Sequence, residues 1–450
     1  MKRLLLIAPL APDSLMGGDF FFRFPGLGLL KVAALTPPGW DVVIIDEKVE
    51  TLDLTQSADL VGITAMTPTA MRGYQIAEHF RARGIPVVMG GMHVSQLPDE
   101  ALAHADAVVI GEAEGSWPRL VGDLERGQML RVYRHDSGLP SLAGTPAVNW
   151  DLYRDKGYLP VHFVETTRGC PIDCEFCSVT TSFGGRYRSR PQEEVLAELQ
   201  NRRPFKGLLT LKDCVFFVDD NIVANRAYAR EFLGRIADLG LKWFGQASMN
   251  IANDDGILRL CQQSGCMGLF IGFESLSPET LESIGKRVNH PDRYLDVIRK
   301  IHDHGIGIDA SFVFGFDTDD EAVFDRTLEF VVGAKIEVAY FSILTPYPGT
   351  RLHERLKASN RLLTENWSLY DGAQVVYRPS RLTPDQLLEG YHRSLTELYR
   401  IPTIFKRLWG NKSYKNFFYP MNFGFRQSAR RLSRAYRAGA MKMAPADTLP

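Results

Sequence analysis

Apolar runs alternate with amphipathic stretches over the first 130 positions. RLLLIAP (3–9), DVVIIDE (41–47), ADLVGIT (58–64), IPVVMGG (85–91) and ADAVVIG (105–111) are nearly continuous in Val, Ile, Leu and Ala. Strands buried on both faces read this way, whereas a half-exposed strand would alternate. Helices fit around 27–36, 69–83, 98–104 and 116–126. The alternation predicts a flavodoxin-like doubly wound α/β domain over 1–130. Residues 131–160 hold three prolines and little periodicity, so they read as a linker.

A second series starts at 161. Its strands are VHFVETT (161–167), CVFFVDD (214–220), WFGQASM (243–249), GLFIGFES (268–275), IDASFVFGF (308–316) and VAYFSIL (338–344). Helical segments at 192–202, 225–239, 255–264, 291–304 and 320–333 separate them. Six β/α units over 161–350 make three-quarters of a (β/α)8 barrel. Such a partial barrel leaves a lateral opening, which suits a bulky substrate or a second cofactor. Residues 351–450 turn helical, and from Ile401 to Ala446 there are ten Lys or Arg and no acid, interleaved with aromatics.

Composition narrows the setting. A formal net charge of -1 gives no global case for nucleic acid, and 45% hydrophobic with 23% charged residues is ordinary for a globular chain. No apolar run approaches the roughly 18 residues of a bilayer span. The opening MKRLLLIAPLAP imitates a signal peptide, but its run is short and reads as the first buried strand. Six cysteines in 450 residues do not make a disulfide framework, so a cytoplasmic, reducing location is expected.

Three of those cysteines crowd into RGCPIDCEFCSV (168–179): Cys170, Cys174 and Cys177. Structural zinc takes four ligands, usually as two separated pairs, and no partner pair follows here. Thiolates this close together suit an iron–sulfur cluster. Three ligands on a four-iron cluster leave one iron open, as catalysis needs. Cys214, Cys261 and Cys266 sit in apolar contexts and read as core.

The CxxxCxxC spacing, with Phe176 just before the last cysteine and the loop just after the first barrel strand, resembles the signature of radical S-adenosylmethionine (radical SAM) enzymes. The resemblance implies a [4Fe–4S] cluster on Cys170, Cys174 and Cys177, whose open iron binds the amino and carboxylate groups of S-adenosylmethionine. Reductive cleavage then gives a 5′-deoxyadenosyl radical that abstracts hydrogen from an unactivated carbon. It runs on along the barrel. Asp219 and Asp220 in FFVDDN are candidates for the methionine amino group, and equally one of them caps the next helix. Glu274 matches a ribose contact, and Gln246 and Ser275 join it as cofactor-binding candidates. Gly315 in SFVFGFD lets backbone approach the adenine, and Pro346 in TPYPGT belongs to the adenine wall. Arg186, Arg188 and Arg190 follow the cluster loop and are candidates for substrate or cofactor carboxylates.

In the first domain, strand ends rich in Gly, Thr and Ser mark a ligand site, with neither a GxGxxG fingerprint nor a phosphate loop. FPGLGLLKVAAL, GIT, VVMGGMHVS and VVIGEAE resemble the cobalamin-binding domain fused to many radical SAM proteins. The resemblance implies that Thr64, Thr67, Gly90, Gly91, Gly111 and Glu112 line the nucleotide tail or corrin. The histidine-donating DxHxxG motif is missing; His93 is grouped with the site but is expected to orient the loop. Cobalamin is therefore expected with its own base displaced and no histidine below the cobalt.

Two such cofactors resemble the cobalamin-dependent radical methylases, in which methylcobalamin delivers a methyl group to a substrate radical. The alternative is cyclisation or rearrangement without methyl transfer, as in the anaerobic cyclase of bacteriochlorophyll synthesis. A third reading makes the first domain a cobalamin sensor. The C-terminal segments resemble those of hopanoid methylases and relatives acting on polycyclic lipids or tetrapyrroles. The expected partners are a hydrophobic small molecule, an electron donor such as flavodoxin or ferredoxin, and an anionic membrane surface met by the basic tail.

Overall fold

The computed structural model describes residues 1–11, 23–136, 138–202 and 214–439; residues 440–450 of the basic tail lie outside them. Two six-stranded parallel sheets follow one another. The first contains β1 (Lys2–Ala8), β2 (Trp40–Asp46), β3 (Leu60–Thr64), β4 (Val87–Gly90), β5 (Ala107–Ile110) and β6 (Val132–Arg134), in the order β2-β1-β3-β4-β5-β6. Its strands are nearly fully buried because helices cover both faces, with one apolar core on each side. The order reverses between β1 and β3, where a doubly wound sheet opens a crevice at its strand C-termini.

β6 is a sixth strand beyond the five expected, and it lies in the stretch read as a linker. It has only three residues, of which Tyr133 is fully buried, and it pairs in parallel with β5. Three residues give no period-two signal, so tertiary pairing alone defines it.

The second sheet is assembled from β7 (Val161–Val164), β10 (Cys214–Phe217), β11 (Lys242–Ala247), β12 (Cys266–Glu274), β13 (Gly307–Phe314) and β14 (Val338–Ile343), paired in chain order with β7 and β14 at its edges. Between β7 and β10, the two-residue strands β8 (Thr167–Arg168) and β9 (Arg188–Ser189) pair antiparallel at the base of the cysteine loop. Register fixes what faces the barrel lumen. Phe163, Phe216 and Phe244 are partners in one row, and Gln246, Phe270 and Asp309 in another. Gly272, Ser311 and Tyr340 form a third, two residues further along the same face.

The C-terminal helices complete the barrel. Phe418, fully buried on the helix Lys415–Arg437, packs where side chains at Gly268 and Gly307 would overlap its ring, and so plugs the N-terminal end. Arg407, also fully buried, donates to the carbonyls of Ile336 (3.0 Å) and Glu337 (2.7 Å) and to Asn422 Oδ1 (2.7 Å). Two members of the basic, aromatic tail, Arg407 and Phe418, are thus core. No described helix is long and apolar enough to cross a membrane.

Candidate functional site

The cysteine loop leaves β8 through Gly169, whose φ of +92° puts it in the left-handed region. A Cβ there would lie 2.3 Å from the Arg186 carbonyl oxygen, so only glycine allows the two ends of the loop to meet. Asp220 accepts the Gly169 N–H at 2.8 Å. Further along, the Glu175 N–H donates to Ile284 O at 2.9 Å, and Gly285 makes room for the Asp173 carbonyl. Cys177 then precedes the short helix Ser178–Phe183. Phe176 meets Phe316, after β13, edge to face at 6.1 Å.

All three thiols are free; Cys174 is buried and Cys170 and Cys177 partly so. Burial pushes Cys174 up to about 12 and raises Cys170 and Cys177, and the neighbouring thiols add to the rise at Cys174. Beside them Lys286 pairs with Glu274 at 3.0 Å. Burial alone would lower Lys286; Glu274 and then Cys174 outweigh it and hold the ammonium charged. Among the described residues no three His, Cys, Asp or Glu side chains are placed to hold a metal ion. Three adjacent thiols next to a buried cation instead fit a larger anionic iron–sulfur group.

The other expected residues divide. Glu274 ends β12 with φ +64° and folds back over Gly272, where a Cβ would overlap its Oε1. Ser275 beside it accepts the Ser277 N–H at 3.1 Å. Gln246 shares the lumen face, and Pro346 follows β14, buried. Asp220 lines the cavity described below. Asp219 does not: fully buried, it accepts the N–H groups of Thr166 (2.7 Å) and Thr167 (3.0 Å), and burial pushes its carboxyl up to about 7. It locks the chain between β7 and β8, and neither aspartate caps the next helix, whose cap is Asn225. At Gly315 the close approach is to Tyr377 and Leu387 of the C-terminal extension, and Tyr377 donates to its carbonyl.

At the C-terminal edge of the first sheet lies a cavity of about 400 Å³. Its apolar depth is lined by Leu6, Leu35, Gly62, Val88, Val109 and Trp117, and its rim by Thr64, Gly90, Gly91, Gly111 and Glu112. A Cβ on Gly111 would meet nothing within 4 Å, so this edge stands open to a ligand. The far wall is the barrel's, from Glu165, Thr167, Arg168, Phe183, Val218 and Asp220. An apolar slot under a polar rim fits a corrinoid with its base tail inserted. Thr67 and His93 lie outside the lining: the His93 ring nitrogens face Tyr74 Oη (3.1 Å) and Thr67 Oγ1 (3.4 Å), and Trp367 packs on the ring.

Between cavity and loop runs an ion network that sequence reading had only grazed. Arg168 donates to Glu112, to Glu114 (2.8 Å) and twice to Glu165 (2.8 and 2.9 Å); Arg188 donates to Glu112 (2.5 and 2.9 Å). Arg190 pairs with Glu198 at 2.8 Å. Two of the three arginines proposed for cofactor carboxylates therefore hold protein carboxylates. Arg168 and Glu114 lie inside the quoted motifs RGCPIDCEFCSV and VVIGEAE, and Glu165 and Lys286 in none; nothing in the sequence shows that Lys286 and Glu114 come near the cysteines.

Comparison with known proteins agrees with this layout. Residues 164–331 match the radical SAM superfamily and residues 14–121 the B12 binding domain. The chain is 34% identical to bacteriochlorophyllide d C-12(1)-methyltransferase of Chlorobaculum tepidum, over 96% of this chain and 94% of that one. It is 29% identical to the C-8(2)-methyltransferase of the same organism, over 85% and 86%. In fold it resembles the radical S-adenosylmethionine methyltransferase TsrM from Kitasatospora setae, solved with cobalamin and a [4Fe–4S] cluster (TM-score 0.68, 15% identity, 98% of this chain and 100% of that one). The chain belongs to the B12-binding radical SAM family. It is an enzyme whose cofactors are a [4Fe–4S] cluster, S-adenosylmethionine and cobalamin.

Proposed function

We propose that the protein is a C-methyltransferase that acts on an unactivated carbon of a hydrophobic, tetrapyrrole-like small molecule. The observation that carries this is the shared wall of the two sites. Asp220 lines the cavity at the first sheet and holds the backbone of Gly169, next to Cys170. Both of these relatives are bacteriochlorophyllide methyltransferases, which supports the substrate class.

Cys170, Cys174 and Cys177 would hold the cluster, with Lys286 offsetting its negative charge. Thr64, Gly90, Gly91, Gly111 and Glu112 would seat the corrinoid. When bound, these cofactors supply one-electron cleavage of a sulfonium and a transferable methyl group. The protein's own part is positioning and exclusion of water. Phe163 and Phe216 offer stacking surface in the lumen, while Gln246, Asp309, Ser311 and Tyr340 can orient polar substituents. A flavodoxin or ferredoxin would supply electrons. The exposed stripe Ile401, Phe405 and Trp409, beside Lys406 and Lys412, would rest on an anionic membrane where such substrates partition.

The test is anaerobically reconstituted protein with methyl-deuterated S-adenosylmethionine and a bacteriochlorophyllide. Product carrying the labelled methyl group is expected. Turnover to an unlabelled, ring-closed product would reject methyl transfer.

A further inference from the structure

Lys31 sits in the run LGLLKVAAL, on the helix Leu27–Leu35. It is 7% exposed, its Nζ has no hydrogen-bond partner, and it lines the cavity at the first sheet. Lysine is almost never this buried unless paired, because an ammonium loses its hydration and gains nothing in return. Burial is the largest influence on it and lowers its pKa, and Arg190 adds to the effect.

The carboxylates near enough to act on Lys31 each pair with an arginine already. Glu165 holds Arg168 through both oxygens, Glu114 holds Arg168 at 2.8 Å, and Glu198 holds Arg190 at 2.8 Å. Two arginines thus take these three acids and leave one ammonium over. Lys31 also stands between two chemistries. Its helix neighbours Val32 and Leu35 line the apolar depth, and Glu114, Glu165 and Arg168 line the charged side.

We propose that Lys31 is the recognition residue for the phosphodiester of cobalamin's nucleotide tail, an inference that rests on the cobalamin reading above. The tail joins an apolar base to a single negative charge, and the amide arms of the corrin are neutral. A lone ammonium at the lip of an apolar slot is complementary to that pair of features. Ligand binding would then supply the acceptor that the fold withholds.

The test uses full-length, cobalamin-free protein titrated with hydroxocobalamin and with dicyanocobinamide. The latter keeps the corrin amides and lacks the base and the phosphodiester. Lys31→Met is expected to weaken cobalamin binding about tenfold or more, to leave cobinamide binding unchanged, and to raise the melting temperature of the apoprotein by removing an unpaired buried charge. Lys31→Arg is expected to keep most of the cobalamin affinity. Cobalamin affinity unchanged in Lys31→Met would overturn the assignment, as would an equal loss for both corrinoids, which would point to an amide oxygen. Failure of the wild type to bind either corrinoid would instead sink the cobalamin reading itself.

Discussion

Arg168 reaches from the base of the cysteine loop to Glu112 on the opposite sheet, and Arg188, paired with Arg168 across the β8–β9 ladder, reaches the same carboxylate. Both strands that bracket the loop are therefore tied to one acid at the rim of the cavity. Glu112 and Arg168 are nearly fully buried, at 7% and 8% exposure. Desolvated ion pairs contribute little net stability, but they fix geometry, because every alternative arrangement strands a charge. In this protein the fixed quantity is the placement of the cysteines against the first sheet.

Removing Glu112 alone leaves the Arg188 guanidinium without a carboxylate and takes one of its three acids from Arg168. Glu112→Ala is expected to destabilise the protein by about 3 kcal/mol. Adding Arg188→Met should return much of the loss, since the uncompensated charge goes with it, and Arg168 keeps Glu114 and Glu165. Denaturant unfolding of the wild type, both single variants and the double variant measures this. Strictly additive losses would show that Glu112 does not act through Arg188.

Gly169→Ala tests the loop itself. Its φ of +92° and the 2.3 Å approach to Arg186 O leave no room for a methyl group. The backbone must move, and it carries Cys170 with it. Iron content after anaerobic reconstitution should fall sharply while corrinoid binding persists. A variant with the full complement of iron would show that the loop tolerates the shift. Cys174→Ser should lose the cluster too, but without disturbing the strands on either side.

The strands of both sheets were legible because strands buried on both faces are written as unbroken apolar runs; β13 reads IDASFVFGF and was placed within a residue or two. β6 escaped because three residues carry no period. The cysteine site was legible because spacing along a loop survives folding. Lys31, Lys286 and the Arg168 network were not, because each charge looks like any surface charge until tertiary packing buries it. Asp219 shows the same limit in reverse. The DD pair is visible in sequence, yet nothing in it says that one carboxylate faces the cavity and the other the β7–β8 turn. The tail misled for a related reason: a basic, aromatic segment reads as a surface, and only packing shows Arg407 and Phe418 to be core.

Asp309 gives a pH signature. On the lumen face of β13, its Oδ1 has no hydrogen-bond partner, and burial pushes the carboxyl up to about 8 from 3.8. Between those values the folded state binds the proton more tightly than the unfolded chain, so stability falls as pH rises through the window. Asp309→Asn removes the titration. The variant's advantage over the wild type should grow by about 2–4 kcal/mol between pH 5 and pH 9. An advantage of equal size at both pH values would mean that the gain is one of packing, not charge. If the lumen holds substrate, a carboxyl kept neutral there is a hydrogen-bond donor, and the same variant should raise KM more than it lowers kcat.

The exposed stripe on the helix Ile401–Leu408 makes the last case. Ile401, Phe405 and Trp409, 45%, 43% and 74% exposed, recur every four residues and so share one face, while Ile404, Arg407 and Leu408 point inward. Three large apolar side chains in line, flanked by exposed Lys406, Lys412 and Lys415, are suited to an anionic interface. Deleting the tail cannot test this, because the deletion would also pull Arg407 and Phe418 out of the barrel. Replacing Ile401, Phe405 and Trp409 with serine leaves those anchors in place. The triple variant should bind vesicles rich in anionic lipid at least about tenfold more weakly than the wild type, with unchanged melting behaviour. Because the lysines remain, its residual binding should vanish in high salt, whereas wild-type binding should only weaken. Equal binding by the two proteins would assign the stripe to some other surface contact and leave the substrate to reach the lumen from solution.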